Sequence, residues 1–265
     1  MKFFLRFLFF FAISFSIQGR AKTLVISDID DTLKVSHVRN FFDALRYMNK
    51  THARFKGMRE ALYLLSHLDS EVEFFYLSNA PEMFMERYHR NFLEEGQFPQ
   101  GLLVLRNHLS RKDHKLYFLR KWIRKQRPRK VILLGDNGEK DPFVYYQISQ
   151  EFPEVSFYVY IHILYPSVHR LYPNEVGFVT PVEVLWDLKS KGLIQGKALK
   201  PFLDHFLWEA IQETDPEPYS PLFFPKWIEC QDFKWIWKGP SLELQALENK
   251  LDLICHSHLR FGEER

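Results

Sequence analysis

The 265-residue chain has only two cysteines, Cys230 and Cys255. Two are too few for a disulfide scaffold, and no CxxC or other zinc-ligand spacing occurs. Cys255-His256-Ser257-His258 is compact enough for stray metal binding but reads better as a helix end with exposed histidines. There is no internal repeat, no low-complexity stretch and no apolar run long enough to span a bilayer comfortably. Charge of a single sign is also lacking: 36 Lys and Arg stand against 33 Asp and Glu. These absences exclude a collagenous rod, a disordered tail and a polytopic membrane protein. What is abundant is phenylalanine, 26 residues, in a chain of net charge +3. At face value that suggests nucleic acid or a membrane surface.

Location changes that reading. Lys2 and Arg6 precede an eleven-residue apolar run, Phe7 to Ile17, and the small residues Gly19 and Ala21 follow. This is the order of a secretory signal peptide, with cleavage expected after Ala21; an uncleaved anchor is the alternative. Removing residues 1–21 leaves 33 basic and 33 acidic residues, and takes seven phenylalanines with it. The expected mature protein is electrically balanced, so nucleic acid is not an expected partner. Export to a periplasmic or extracellular space would permit a bridge between Cys230 and Cys255, and the sequence leaves paired and free states open.

From Thr23 onward, short apolar runs alternate with helical patterns. Strands are predicted at 23–27, 72–77, 102–105, 130–134 and 155–163, and helices at 58–68, 113–126 and 141–150, with a further helix opened by Pro81 and closed by Gly96. Repeated β-α-β order predicts an α/β fold with a mainly parallel sheet between two helical layers. The pattern changes near Tyr165. Residues 166–265 read as a mostly helical appendage, with helices at 182–191, 199–212 and 241–255 and an acid- and proline-rich link at 213–221. Phe233 to Lys238 alternates aromatic and mostly basic residues, as a strand packing one aromatic face would, or as an edge at a membrane interface.

The chemistry is expected where strands end. The first strand runs into Asp28-Ile29-Asp30-Asp31-Thr32. Three carboxylates in four residues repel one another unless a divalent cation shares them. A calcium loop is excluded, because the sixth and twelfth positions from Asp28 are Leu33 and Arg39 rather than Gly and Glu. Gly135-Asp136-Asn137-Gly138 follows the fourth strand, with Asp141 beyond, and its glycines suit a tight turn beside a ligand. Ser78 and Asn79 are polar donors at the second strand's tip. Lys115 sits in the first turn of a helix, where the dipole disfavours a cation, although spacing alone does not separate it from Arg111, Lys112, Arg120 and Lys121.

Taken in order, Asp28-x-Asp30-x-Thr32, Ser78, Lys115, and Gly135-Asp136 with Asp141 resemble the four motifs of the haloacid dehalogenase (HAD) superfamily. Residues 26–38, 76–81 and 98–101, Leu105-Arg106, and residues 135–142 resemble more narrowly the actin-patch-associated phosphatidate phosphatase catalytic domain. The likeness covers about residues 23–163 and implies a HAD-like three-layer sandwich. It implies Asp28 as nucleophile, Asp30 as general acid and base, and Thr32 as a brace for the loop. Ser78 and Lys115, with Asn79 beside them, would hold the phosphoryl group. Mg²⁺ would be held by Asp28, the backbone carbonyl of Asp30, and Asp136, with Asp141 either binding it directly or supporting its ligands from behind. Asp31 receives no role and reads as solvent-exposed.

About 24 residues separate Leu33 from Gly57, short for a full cap, and an open site suits a phosphate on a bulky or interfacial substrate. The expectation is an exported Mg²⁺-dependent phosphatase acting on phosphatidate or a related lipid phosphate, with transient membrane-surface contact. The rivals are a broad phosphomonoesterase for nucleotides or other soluble phosphates, and a non-catalytic envelope protein keeping the fold.

Overall fold

A computed structural model describes residues 22–107, 113–166, 171–230 and 241–257. The strands are β1 Thr23–Ser27, β2 Val72–Pro81, β3 Gly101–Arg106, β4 Lys130–Asp136, β5 Ser156–His162 and β6 Glu175–Phe178. The helices are α1 Phe41–Tyr47, α2 Met58–Leu65, α3 Glu82–Glu95, α4 His114–Gln126, α5 Asp141–Glu151, α6 Pro181–Ser190, α7 Gly196–Gln212 and α8 Leu242–Ser257. No helix of the described residues is long and apolar enough to cross a membrane.

All strand pairings are parallel, in the order β3-β2-β1-β4-β5-β6. β1 is central and buried on both faces, which is why its five residues show no apolar–polar alternation. Right-handed crossovers place α2 and α3 on one face of the sheet and α4 and α5 on the other. α6 returns to pack on α2, and α7 and α8 stack beyond them. The chain leaves β1 toward β3, then returns to the other side of β1 for β4. That reversal opens a crevice at the carboxyl ends of β1 and β4, where open α/β sheets take their ligands.

Several local readings are corrected. The α/β pattern does not stop at Tyr165: β6, beyond it, pairs with β5 from Val159↔Glu175 to His162↔Phe178. Gly96 does close α3, yet with φ −71°, and it is Gln97 that takes the left-handed conformation. Gly96 is needed for space, since a Cβ there would lie 2.6 Å from the Phe92 carbonyl and 2.7 Å from the Phe98 ring. Asp113 stands at the α4 N-cap, but its side chain makes no capping bond.

Cys230 and Cys255 are joined, tying the segment before the C-terminal helix to α8. Cys255 is thereby removed from any metal-binding reading of 255–258; the side chains of His256 and His258 lie outside the described residues, as does the Phe233–Lys238 alternation. A loop of 25 residues closed by one bridge contributes about 3 kcal/mol in the chain-entropy picture.

Candidate active site

The three acids after β1 do not share one cation; each has separate partners. Asp28 continues the sheet through its N–H to Leu134 O at 2.8 Å, and its carboxylate accepts from Lys115 Nζ at 2.7 Å. Asp30 turns away, accepting from Ser36 Oγ at 2.6 Å and meeting His89 Nε2 at 2.7 Å. Asp31 is fully buried, not solvent-exposed. Its carboxylate accepts from the backbone N–H groups of Ser36, His37 and Val38, at 2.8–2.9 Å, and from the Tyr165 hydroxyl. Asp31 therefore folds the loop back on itself, at φ 58°, a left-handed conformation that Asp tolerates better than most residues.

That loop is braced from two directions. Asn137 accepts from Leu164 and Tyr165 N–H and donates to Tyr165 O at 2.7 Å, which fixes the hydroxyl that reaches Asp31. Trp227, from the C-terminal segment, stacks on His37 at 4.1 Å and on Tyr165 at 5.2 Å. Thr32, expected to brace the loop, is buried, and its hydroxyl has no hydrogen-bond partner among the described residues. Its contribution is a backbone bond to Ile29 O.

Opposite Asp28, β4 delivers Asp136 and the start of α5 delivers Asp141. Gly135 and Gly138 make this possible through closeness rather than through unusual dihedrals. A Cβ on Gly135 would sit 2.5 Å from Asp141 Oδ2, and one on Gly138 would sit 2.5 Å from the Tyr165 ring. Asp136 accepts from Gly138 N–H at 2.5 Å, and Asp141 accepts from Lys115 at 2.5 Å. Lys115 is buried, so the alternative of an exposed basic face falls away. Burial alone would lower its pKa, but Asp141 and Asp28 outweigh burial and hold it charged.

Asp28, Asp136 and Asp141 each place one carboxylate oxygen within 4.8 Å of the others. Burial raises all three above the ordinary carboxylate range; Lys115 partly offsets this at Asp28 and Asp141, while repulsion adds to it, from Asp141 at Asp28 and Asp136 and from Glu139 at Asp141. Asp141 Oδ2 is buried with no hydrogen-bond partner among the described residues. Three buried carboxylates, one lysine and an orphaned carboxylate oxygen fit a hard divalent cation with oxygen ligands. The Asp30 carboxylate is not in this group. Burial would raise its pKa, yet His89, Lys34 and Ser36 together hold it well below the usual range.

A cavity of about 370 Å³ opens over this centre. Its polar residues include Asp28, Asp30, Ser78, Asn79, Arg106 and Glu139. Ser78 Oγ accepts from Ala80 N–H at 3.0 Å, which leaves its hydroxyl proton to donate into the cavity. Asn79 lines the cavity but spends its amide on Glu139 at 2.8 Å. Among the described residues, none beyond Glu139 lines the cavity, and the described part of the C-terminal appendage reaches the loop through Trp227 instead.

Two residues escaped the sequence reading as site members. His89 is fully buried on a largely exposed helix, and its Nδ1 donates to Met85 O at 3.1 Å. A carbonyl can only accept, so the close Nε2–Asp30 contact contains one proton shared by the two groups. Arg106 was part of the resemblance but had no role. Among the described residues it is the one cation lining the cavity, and its buried Nε has no hydrogen-bond partner there. An anionic substrate satisfies both conditions. Arg106→Ala is expected to raise KM about 10- to 100-fold with a smaller change in kcat, since a charge-assisted bond contributes about 1.5–3 kcal/mol. An unchanged KM in steady-state assays would remove Arg106 from substrate binding.

A parallel sheet with a carboxylate–lysine cluster at its switch point is the arrangement of a HAD-type phosphatase. The chain belongs to the family described as Phosphatidate phosphatase APP1, catalytic domain, whose model matches residues 23–162. A search of curated proteins finds no match. Among solved structures the chain is similar to the HAD domain of effector protein Lem4 from Legionella pneumophila, at 16% identity and a TM-score of 0.41, covering 65% of this chain and 96% of that one. The inactive mutant of the same domain gives 16% identity and 0.42, covering 69% and 100%.

Proposed function

We propose that this protein hydrolyses a lipid phosphate monoester, phosphatidate first among them, through an aspartyl-phosphate on Asp28. The observation that carries the reading is the Asp28 carboxylate, held by buried Lys115 beneath a cavity that also has apolar walls: Val38, Phe41, Ala44, Leu45, Met48 and Met85. A nucleotide or sugar phosphate gains little from such walls, whereas acyl chains bury apolar area against them.

An Asp28 oxygen attacks phosphorus, and the bond from phosphorus to the ester oxygen breaks. The departing alkoxide takes the proton shared by His89 and Asp30, delivered at Asp30. Asp30 then accepts a proton from the water that attacks the phosphorus of the acyl phosphate. Phosphate leaves, and the Asp28 carboxylate is restored. The Ser78 hydroxyl and the Arg106 guanidinium bind the phosphoryl oxygens, and Lys115 keeps Asp28 oriented and offsets its charge. Mg²⁺, held by Asp28, Asp136 and Asp141, would supply charge neutralisation for the phosphoryl group.

Purified protein with Mg²⁺ is expected to hydrolyse phosphatidate in mixed micelles faster than nucleotides, and to lose activity with excess chelator. Preference for nucleotides would instead establish the soluble phosphomonoesterase, and inertness toward every phosphate ester would establish the binding protein.

We also propose export with cleavage after Ala21; the buried Cys230–Cys255 bridge supports an oxidising destination. Intact mass of the exported protein should begin at Lys22 and show no free thiol. A mass retaining residues 1–21 would indicate the anchored form.

A further inference from the structure

Twelve large apolar side chains stand exposed among the described residues, and five of them, Phe41, Phe42, Leu45, Met83 and Phe84, come from the two helices that flank the cavity. α1 has no buried residue at all, so the core does not explain its apolar composition. Its cavity stripe is Phe41, Ala44, Leu45 and Met48, the spacing of one helical face. Phe42 lies outside that stripe and is 71% exposed. At the start of α3, Pro81 and Met85 line the cavity, while Met83 and Phe84 point elsewhere and are 86% and 67% exposed. Both helices that wall the cavity therefore carry large exposed apolar side chains beside the ones that line it.

Charge accompanies this rim. Residues 39–50 carry Arg39, Arg46 and Lys50 against one acid, Asp43, and all three cations are exposed. Asp43 is itself engaged by His37 at 2.8 Å and by Arg46 at 3.3 Å. On α3, Glu82, Glu86, Glu94 and Glu95 stand against Arg87 and Arg90, with Glu86 paired to Arg90 at 2.6 Å, so the basic excess lies on the α1 side alone. Exposed aromatic and thioether side chains beside the net-basic 39–50 segment match an interface of acyl chains under anionic headgroups. A patch of this kind on a soluble surface marks an interaction site.

We propose that Phe42, Met83 and Phe84 form a membrane-docking rim that seats the cavity mouth on an anionic lipid surface. A lipid phosphate could then enter along the Phe41–Leu45 wall without passing through bulk water. This proposal rests on the lipid-phosphatase reading above for its purpose, but its geometry is independent of catalysis.

The test uses the triple variant Phe42→Ser, Met83→Ser, Phe84→Ser, none of which lines the cavity. Wild-type and variant are sedimented with phosphatidylcholine vesicles with or without phosphatidylglycerol, which is anionic but not a phosphate monoester. Wild-type protein is expected to bind the phosphatidylglycerol vesicles. The variant should bind at least about tenfold more weakly at unchanged melting temperature. Its rate on vesicle-embedded phosphatidate should fall in parallel, with the rate on a soluble aryl phosphate unchanged. Equal vesicle binding by the two proteins would overturn the proposal, as would wild-type protein that hydrolyses the aryl phosphate but binds no vesicle. Self-association of wild-type protein, lost in the variant without vesicle binding, would overturn it in favour of a second copy of this chain. Loss of vesicle binding in the variant while neither protein hydrolyses any phosphate ester would uphold docking and reject only the phosphatase reading.

Discussion

Asp28→Asn is expected to lower kcat on any phosphate ester by on the order of 10⁴-fold or more, the range seen when a covalent nucleophile is removed. The amide retains an oxygen that accepts from Lys115 in place of the present 2.7 Å bond, so the fold should survive. Burial raises the Asp28 pKa, Lys115 lowers it and neighbouring acids raise it again, so losing the charge weakens one pair with Lys115 but relieves repulsion, and Lys115 keeps its 2.5 Å pair with Asp141. Melting curves and steady-state rates on the same preparation separate the two effects. Activity retained within tenfold of wild-type would eliminate Asp28 as nucleophile.

Asp136→Asn should separate stability from metal binding in opposite directions. Among the described residues Asp136 has no ion pair; it accepts from Gly138 N–H, and its pKa is raised by burial, then by Asp141 and Asp28. An asparagine there removes a buried, uncompensated charge and should stabilise the metal-free protein by about 1–2 kcal/mol. The sign of the pH dependence follows from the raised pKa values. A carboxyl group whose pKa is higher in the folded state favours folding below its unfolded value, near 4, and loses that contribution as pH rises through the folded value. Metal-free wild-type protein should therefore melt at progressively lower temperature as pH increases from about 4, with Mg²⁺ restoring stability at neutral pH by binding the folded state. The variant should show a shallower pH slope, little response to Mg²⁺ and little activity. Calorimetry with chelator and with Mg²⁺ measures all of this, and an Mg²⁺-dependent rise in the variant equal to wild-type would remove Asp136 from the cation site. Asp141→Asn should behave differently, because it also breaks the buried pair with Lys115.

The sheet was legible because its strands begin as apolar runs set between helical patterns, β1 most clearly, being β-branched and wholly buried. β1 runs over the same five residues, Thr23–Ser27, that the apolar run marks. β6 was not legible, since Glu175-Val-Gly-Phe has four residues, one of them glycine, and becomes a strand only by pairing with β5. The convergence of Asp28, Lys115, Asp136 and Asp141 followed from strand order and motif order. The partition of the acids did not. Spacing along an extended loop says that Asp28, Asp30 and Asp31 repel, but which neighbour satisfies each depends on His89, Ser36 and Tyr165, and His89 and Tyr165 are distant in sequence. His89 gave no signal beyond its place on an amphipathic helix. Arg106 gave none beyond its place at a strand end, because an orphaned guanidinium nitrogen is a property of three-dimensional surroundings.

The central claim is covalent: phosphate passes through the Asp28 carboxylate. The most direct measurement is the mass of peptides from acid-quenched protein after a brief reaction with phosphatidate, using Asp30→Asn to slow breakdown of the intermediate. The account predicts one added phosphoryl group on the peptide carrying Asp28, chased away by time in wild-type protein and absent from Asp28→Asn. Full turnover with no phosphoryl group on that peptide, or with the group on another residue, would contradict it.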